Sequence, residues 1–377
     1  MSALEHAVGL SAEVATARVT ARLRRYVEHE SPSHDAERCG SLAEMIAADL
    51  RGLGGAVVIH EVPVGKHLVA TFGTNGRKPL LIMAHLDTVH PAGTLASQPF
   101  TVSDRVTGPG CYDMKAGMTL MIEALAILTA RGPLPRPVKV LITCDEEIGS
   151  HTSRPLIEAE ARGADCVLVP EPSLPNGGVK TMRKGVATYR VTAHGRAAHA
   201  GIEPELAVNA ITELAQHIIA VRDVADSGTG TSLTVSMING GTATNVVPAH
   251  AVMTIDVRHA TAEEGVRVHQ ELMARTPFHP EARLVVERFE SRPPLERTPV
   301  ILSLYERART IAAELGVDLP EGGTGGGSDG SLTAALGVPT LDGLGPRGGG
   351  AHTSHEHVIT ADLPFRLAFF TLLLQRL

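Results

Sequence analysis

The segment VKVLITCDEEIG, residues 138–149, decides the fold class. Its first seven residues form a nearly continuous apolar run, which is typical of a β-strand that is buried on both faces. Three adjacent carboxylates follow at the end of this predicted strand. Similar apolar segments alternate with helical patterns, which predicts an α/β domain with helices on both faces of a sheet. The predicted strands are 56–62, 67–72, 79–84, 138–144 and 166–170, and the predicted helices are 13–30, 36–52, 114–131 and 152–162.

The pattern changes near residue 180, where apolar and polar residues alternate. The order there is strand, helix, strand, strand, helix, strand, which is typical of an α+β sandwich with one sheet face covered. These elements are predicted at 188–195, 205–221, 232–238, 251–259, 262–275 and 282–290. Helices at 298–315, 329–336 and 361–377 then restore the α/β pattern. We therefore predict a first domain, residues 1–180 and 294–377, that is interrupted by a second domain, residues 181–293.

Composition excludes several classes of function. The chain has 377 residues, with 34 Lys and Arg against 41 Asp and Glu, and its net charge of −7 argues against a nucleic-acid partner. Aromatic residues make up only 3%, so a stacking surface for bases or sugars is not expected. There is no apolar run long enough for a membrane span and no signal-peptide pattern at the start. The four cysteines form no CxxC pair, and we expect a cytoplasmic protein.

Chemically active side chains follow the predicted strands at the sheet edge where ligands bind in open α/β folds. His85 and Asp87 follow one strand, and their spacing puts them on the same side of an extended chain. His85 could bind a metal while Asp87 fixes the tautomer of its ring. Taken alone, the pair also fits a surface histidine beside a turn aspartate.

Carboxylates recur at the other strand ends. Glu146 and Glu147 point in opposite directions if the chain is extended, so one can bind a metal while the other handles protons. Asp113 lies between a glycine-rich loop and a helix, where it could bridge two metal ions or only cap the helix. Glu171 closes a later strand, and a histidine-rich loop contains His352. Nitrogen and oxygen ligands without cysteine favour catalytic Zn²⁺, with Mn²⁺ or Co²⁺ as alternatives, and two such ions could activate one water.

Seven motifs resemble those of the dinuclear zinc exopeptidases and deacylases, and they occur in the same order along the chain as in that family. That family includes glutamate carboxypeptidase, acetylornithine deacetylase, succinyl-diaminopimelate desuccinylase and aminoacylase. The motifs are HLDTV (85–89), GPGCYDMKAG (108–117), DEEIGS (145–150), PEPS (170–173), AAHAG (197–201), GGGSDG (325–330) and AHTSHEH (351–357). TNVVPAHA (244–251) and the TGGGSD loop are most similar to the bacterial glutamate carboxypeptidase branch. The resemblance implies a mixed-sheet catalytic domain with an inserted ferredoxin-like dimerisation domain.

The resemblance implies two zinc ions in each subunit of a homodimer. Asp113 would bridge the two ions. The other ligands would be His85 and Glu171 at one ion, and Glu147 and His352 at the other. His352 is chosen over the neighbouring His355 and His357 because the family histidine is followed four residues later by an acidic residue, here Glu356.

Two further residues of the centre would serve catalysis. Asp87 would orient His85 from behind. Glu146 would act first as general base and then as general acid, moving a proton from the metal-bound water to the leaving amine. The family also implies a cis peptide bond between Asp113 and Met114.

The inserted domain would contribute to substrate binding. His199 would reach into the active site of the partner subunit and steady the developing oxyanion. Asn245 and Arg258 match positions that bind the free carboxylate of the substrate, and Gly326 and Gly327 would form the backbone wall of the pocket. Without the resemblance, His199 could simply cap a loop and Arg258 could form an ordinary surface ion pair.

The resemblance implies a metallocarboxypeptidase that removes a C-terminal amino acid, with glutamate as the leading candidate. Lys180 and Arg292 could then recognise the side-chain carboxylate. An amidohydrolase that deacylates N-acyl amino acids is the alternative, because its metal centre would be the same. An aminopeptidase is disfavoured by Glu171, where those enzymes tend to carry Asp. A catalytically silent peptide-binding protein would not need the full set of ligands.

Overall fold

The computed structural model describes residues 2–74 and 76–377. The helices are α1 (Ala3–Val8), α2 (Ala12–Val27), α3 (Ala36–Gly52), α4 (Ala116–Arg131), α5 (Arg154–Gly163), α6 (Ala210–Ala220), α7 (Ala262–Met273), α8 (Pro299–Glu314), α9 (Gly330–Ala335) and α10 (Leu363–Arg376). The strands are β1 (Ala56–Val62), β2 (Gly65–Phe72), β3 (Leu80–His85), β4 (Thr101–Val102), β5 (Arg105–Thr107), β6 (Val138–Thr143), β7 (Cys166–Val169), β8 (Val179–Arg183), β9 (Gly185–His194), β10 (Ser232–Gly240), β11 (His250–His259), β12 (Arg283–Arg292), β13 (Glu321–Thr324), β14 (Thr340–Asp342), β15 (Gly348–Gly349) and β16 (His357–Ile359).

The chain divides into two compact units. The first comprises Met1–Met182, Arg297–Gly323 and Ser328–Leu377, and the second comprises Arg183–Glu296 and Thr324–Gly327. The first unit is therefore discontinuous in sequence. The short segment Thr324–Gly327 returns to the second unit from within the glycine-rich stretch.

A mixed eight-stranded sheet organises the first unit, in the order β1-β2-β6-β3-β7-β14-β8-β13. Strands β6, β3, β7 and β14 run parallel, so their carboxyl ends meet at one edge. The central strands β6, β3 and β7 are buried almost throughout because helices cover both faces of the sheet. The core on one face includes residues of α2, α3, α4 and α10, and the core on the other includes residues of α5 and α9. This arrangement confirms the predicted α/β class.

The second unit is built around an antiparallel sheet in the order β10-β11-β9-β12. Every second residue of β11 is buried, because one face of the sheet packs on α6 and α7 while the other does not. The chain order β9-α6-β10-β11-α7-β12 with this strand order is the ferredoxin-like arrangement. The predicted α+β fold of the inserted segment is therefore confirmed.

Two predicted helix starts are wrong. Helix α6 begins at Ala210 rather than at 205, because the side chain of Asn209 caps it by accepting two backbone N–H groups of the first turn. Helix α4 begins at Ala116 rather than at 114, because Asp113 and Met114 have non-helical dihedral angles. The peptide bond between these two residues is cis, as the resemblance implied.

A small sheet of four short strands, β15-β16-β5-β4, was not predicted. Its strands are two or three residues long, which is too short for an apolar period to show. The pairing of β16 with β5 matters for function, because β5 leads into the loop of Asp113 and β16 follows the loop of His352. It holds these two distant parts of the sequence side by side.

Candidate metal centre

His85 ends β3, and Asp87 follows in the loop beyond it. The buried ring of His85 donates from Nδ1 to the backbone carbonyl of Asp87 at 3.0 Å, which leaves Nε2 as the nitrogen that could bind a metal. The carboxylate of Asp87 accepts hydrogen bonds from the Ser33 hydroxyl (2.8 Å) and from the backbone N–H groups of Glu146 (3.3 Å) and Glu147 (3.2 Å). Asp87 therefore joins the loops after β3 and β6.

Five side chains form two groups that share Asp113. Nε2 of His85 lies 3.3 Å from Oδ1 of Asp113 and 3.5 Å from Oε1 of Glu171. On the other side, Nε2 of His352 lies 3.4 Å from Oδ2 of Asp113 and 3.2 Å from Oε2 of Glu147. Within each group the ligand atoms all lie within 4.8 Å of one another. The structure thus brings together the five predicted ligands, all from the first unit.

Close backbone packing positions Glu171. A Cβ on Gly117 of α4 would lie 2.8 Å from the carbonyl carbon of Pro170, and a Cβ on Gly345 would lie 2.7 Å from the carbonyl oxygen of Glu171. Gly345 also donates its N–H to that carbonyl oxygen at 2.8 Å. Only glycine permits these approaches. The segment Pro170–Glu171 is therefore clamped between α4 and the loop of Gly345.

The charges of the site shift several pKa values. Burial would raise the pKa of Asp113, but His352 and His85 hold it well below its usual range. Asp113 and Glu147 raise the pKa of His352 to about 10. Burial raises the pKa of Glu147. Burial would lower the pKa of His85, but the neighbouring carboxylates raise it well above its usual value. The cluster therefore attracts positive charge.

The donor set fits a pair of divalent cations. Among the described residues, Nε2 of His85 and Oε1 of Glu147 are both buried without a hydrogen-bond partner. Such atoms are costly unless something binds them. A cation in each group would satisfy them and offset the repulsion between the carboxylates. Imidazole and carboxylate donors without thiolate suit Zn²⁺, Co²⁺ and Mn²⁺.

Glu146 belongs to neither ligand group, although it shares a short turn with Glu147. It is half-buried and lines a small pocket together with His85, Glu171 and Asp329. Glu146 therefore lies beside the first ligand group. A carboxylate in that position could exchange protons with a water bound at the centre.

His199 and Asn245 lie on adjacent segments of the second unit. The N–H of Ala200 donates to the carbonyl of Asn245 at 2.9 Å, and His199 forms an isolated β-bridge with Val246. His199 and Asn245 are both exposed. Nδ1 of His199 accepts the N–H of Gly201 at 3.1 Å, so the ring proton is on Nε2.

Arginine side chains surround the glycine-rich loop of the second unit. Arg258 forms two hydrogen bonds with Asp256, at 2.8 and 2.9 Å, and donates a third to the loop backbone at 3.3 Å. Arg183 donates to the carbonyls of Gly327 (2.7 Å) and Gly326 (3.4 Å). Sequence reasoning missed Arg183, because a buried arginine on a strand carries no motif. The ion pair of Arg258 with Asp256 is of the ordinary surface kind that the sequence also allows for this arginine.

The structure also places four further residues that the sequence singled out as possible ligands or substrate-binding residues. His355 and His357 belong to neither ligand group of the described residues, and Nδ1 of His357 donates to the carbonyl of His355 at 2.9 Å. Lys180 in β8 and Arg292 at the end of β12 are both buried. Cδ of Arg292 lies 3.2 Å from the place that a Cβ on Gly327 would take. Arg292 therefore lies beside the glycine-rich loop.

Comparison with known sequences points to one family. The sequence profile of peptidase family M20/M25/M40 matches residues 81–376. Carboxypeptidase G2 of Pseudomonas sp. (strain RS-16) is 33% identical over 355 residues, which cover 92% of this chain and 86% of that protein. Succinyl-diaminopimelate desuccinylase of Delftia acidovorans is 29% identical over 314 residues, which cover 77% of this chain and 80% of that protein.

Solved structures share the fold. The aminopeptidase PepT of Bacillus cereus aligns with a TM-score of 0.79 and 22% identity, over 96% of this chain and 98% of that one. The metallo-carboxypeptidase Sso-CP2 of Sulfolobus solfataricus aligns with a TM-score of 0.72 and 17% identity, over 95% and 98% of the two chains. Because these identities are low, the two likenesses establish the architecture alone.

Proposed function

Because this chain belongs to peptidase family M20/M25/M40 and is a metallohydrolase, we propose that it is a carboxypeptidase that releases a C-terminal amino acid, with glutamate as the first candidate. The observation that carries the proposal is the pair of ligand groups that share Asp113, with Glu146 beside the same pocket. Similarity to carboxypeptidase G2 over 92% of the chain supports this choice of reaction.

The proposed cofactor is a pair of Zn²⁺ ions, with Co²⁺ or Mn²⁺ as functional substitutes. His85 and Glu171 would hold one ion, Glu147 and His352 would hold the other, and Asp113 would contact both. When bound, such ions polarise the carbonyl of the scissile bond and lower the pKa of water.

The protein's own residues would move the protons and orient the reactants. Glu146 would take a proton at its carboxylate from the attacking water and deliver it to the leaving nitrogen. Asp87 would keep the ring of His85 in one tautomer and hold the backbone N–H of Glu146 in place. His199, which carries its ring proton on Nε2, would donate from there to the carbonyl oxygen of a substrate bound in the partner subunit.

The substrate carboxylate would bind in the second unit. Asp256 engages Nε and Nη2 of Arg258, and the carbonyl of Gly325 accepts from Nη1, so the guanidinium is oriented beside the glycine-rich loop. The second N–H groups of Nη1 and Nη2 would meet the carboxylate. Asn245 would add an amide donor, and the backbone of Gly326 and Gly327 would form the wall of the pocket. The buried Arg292 of this unit would recognise a second carboxylate, that of a glutamate side chain, and the buried Lys180 of the first unit is the other candidate for that role.

A deacylase of N-acyl amino acids is the second candidate. Succinyl-diaminopimelate desuccinylases align over most of the chain, at 29% identity for the protein of Delftia acidovorans. The same ligand groups and the same Glu146 would serve this reaction. The two candidates therefore differ only in the part of the substrate that the enzyme recognises.

The test is a hydrolysis panel with the zinc-loaded enzyme and Glu146→Ala as the blank. The substrates would be N-acyl and peptidyl glutamates, a folate-type substrate, N-acetylornithine, succinyl-diaminopimelate and neutral N-acyl amino acids. Preference for C-terminal glutamate across varied acyl groups would support the carboxypeptidase. Preference set by the acyl group would support the deacylase. Absence of hydrolysis from a fully metal-loaded protein would refute both.

We also propose that the second unit forms a homodimer through β10. This strand lies at the edge of its sheet, and its residues Met237 and Ile238 are 69% and 51% exposed. An exposed apolar edge strand is a template for pairing with another chain.

Among the described residues, no helix is both long and apolar enough to cross a membrane. All four cysteines are buried and unpaired, which supports a reducing cytoplasm as the location.

A further inference from the structure

Glu356 is buried among the loops that carry two of the proposed ligands. Its Oε1 accepts the backbone N–H groups of Tyr112 (2.8 Å) and Asp113 (2.9 Å), and its Oε2 accepts that of Gly110 (2.9 Å). Nε2 of His90 lies 2.6 Å from the same Oε2 and donates to it, because a carboxylate can only accept. One side chain thus accepts four hydrogen bonds, three of them from the segment that ends at Asp113.

The same residue closes the loop of His352. Within this loop, the N–H of Thr353 donates to the carbonyl of Gly350 at 3.0 Å, and the N–H of Glu356 donates to the carbonyl of Thr353 at 3.3 Å. His352 has a φ of 64°, a left-handed conformation that a residue with a side chain adopts only where its surroundings impose it. The loop must therefore be held in this conformation by its contacts, and Glu356 is the buried residue at its end.

We infer that Glu356 is a positioning residue that sets the placement of Asp113 and His352, and so the affinity of the centre for divalent metal ions. Asp113 is the one side chain that both ligand groups contain. Its backbone N–H is held by Glu356, so its two carboxylate oxygens can face His85 and His352 at once. The inference rests on the proposed metal centre, but not on the proposed substrate.

The variant Glu356→Gln isolates this role with little change in volume. An amide has one oxygen and one NH₂ group, whereas the carboxylate accepts at both oxygens. Whichever way the amide turns, an NH₂ group faces two donors, either those of Tyr112 and Asp113 or those of Gly110 and His90. We expect metal binding at least tenfold weaker, in line with the loss when residues that orient metal ligands are changed.

The matched control is Glu123→Gln. Glu123 of α4 is also a buried glutamate of the first unit, exposed by 3% against 2% for Glu356, but it pairs with Arg18 and Arg22 on α2. Its substitution should lower thermal stability and leave metal binding unchanged. A third variant, His90→Ala, removes one of the four donors to Glu356, and we expect a smaller, few-fold loss of affinity.

The measurement is titration of the metal-free protein with Co²⁺, followed by calorimetry and by the visible absorption of the bound ion. Weaker binding with an altered Co²⁺ spectrum in Glu356→Gln, but not in Glu123→Gln, would support the inference. Wild-type affinity and spectrum in a folded Glu356→Gln would overturn it. If that variant does not fold, His90→Ala decides, and wild-type binding there overturns the inference. A wild-type protein that binds no Co²⁺ would instead refute the metal centre itself.

Discussion

Replacing Gly117 by alanine should damage the metal centre without touching any proposed ligand. The added Cβ would overlap the carbonyl oxygen of Pro170 and lie 2.8 Å from its carbonyl carbon, whereas ordinary contacts begin at 3.4 Å. The difference, 3.4 − 2.8, requires a displacement of at least 0.6 Å. Helix α4 and the Pro170–Glu171 segment must therefore separate by that distance or more.

The displacement moves Glu171, one of the proposed metal ligands. Glu171 follows Pro170 directly, and its carbonyl is held from the other side by Gly345. Metal–ligand distances are reproduced within about 0.2 Å, so a shift of 0.6 Å is well outside their range. We expect Gly117→Ala to bind divalent metal at least about tenfold more weakly. Crowding of this kind also lowers the free energy of unfolding by about 1–3 kcal/mol.

The control is Gly52→Ala in α3. A Cβ there meets nothing within 4 Å, and alanine is favoured over glycine in a helix by up to about 1 kcal/mol. Both variants would be titrated with Zn²⁺ in the metal-free state by calorimetry and unfolded by heat. Wild-type metal affinity in a folded Gly117→Ala would show that Glu171 is not positioned through this contact, and the reasoning would fail.

Four further predictions address the remaining assignments. Glu146→Gln should retain both metal ions by elemental analysis and lose about 10²–10⁴-fold in kcat, and retained turnover would exclude it as the general base. Arg258→Lys should raise KM about tenfold to a hundredfold with metal content unchanged, because an ammonium lacks the bidentate fork; an unchanged KM would remove Arg258 from carboxylate binding. Ile238→Lys should give a monomer by ultracentrifugation that binds metal but is inactive, whereas an active monomer would refute a role for the partner subunit. Gly265→Ala should lower the free energy of unfolding by about 1–3 kcal/mol, because the added Cβ would lie 2.6 Å from the ring of His259. Alanine usually stabilises helices relative to glycine, so a gain in stability in a denaturant titration would contradict this prediction.

The strand ends could be predicted from the sequence because apolar runs mark buried strands directly. His85, Glu147 and Glu171 each follow such a run, and parallel strands bring their carboxyl ends to one edge. The motif order supplied Asp113 and His352, which no strand period could have placed. Their neighbourhood depends on β5 and β16, which are three residues each and leave no periodic signal.

The contacts that hold the site were beyond sequence reasoning. Ser33 is 54 residues away from Asp87 along the chain, yet it donates to the Asp87 carboxylate at 2.8 Å. Nothing in the residues around Ser33 predicts that pairing. The same holds for Gly117, whose role depends on the close approach of Pro170 rather than on any property of its own helix. Such partners are set by packing between distant segments, and a local pattern cannot reveal them.

Two kinds of buried carboxylate meet in this site, and their hydrogen bonds tell them apart. Asp87 and Glu356 are each satisfied by backbone N–H groups, two for Asp87 and three for Glu356. Dipoles of this kind stabilise a buried negative charge without any cation. Glu147 instead keeps one buried oxygen without a partner among the described residues. Asp145 also keeps one buried oxygen without a partner there, but only Glu147 belongs to a ligand group, where a cation could satisfy that oxygen. On this physical ground we expect Asp87 and Glu356 to hold the proposed centre in place and Glu147 to bind a metal ion in it.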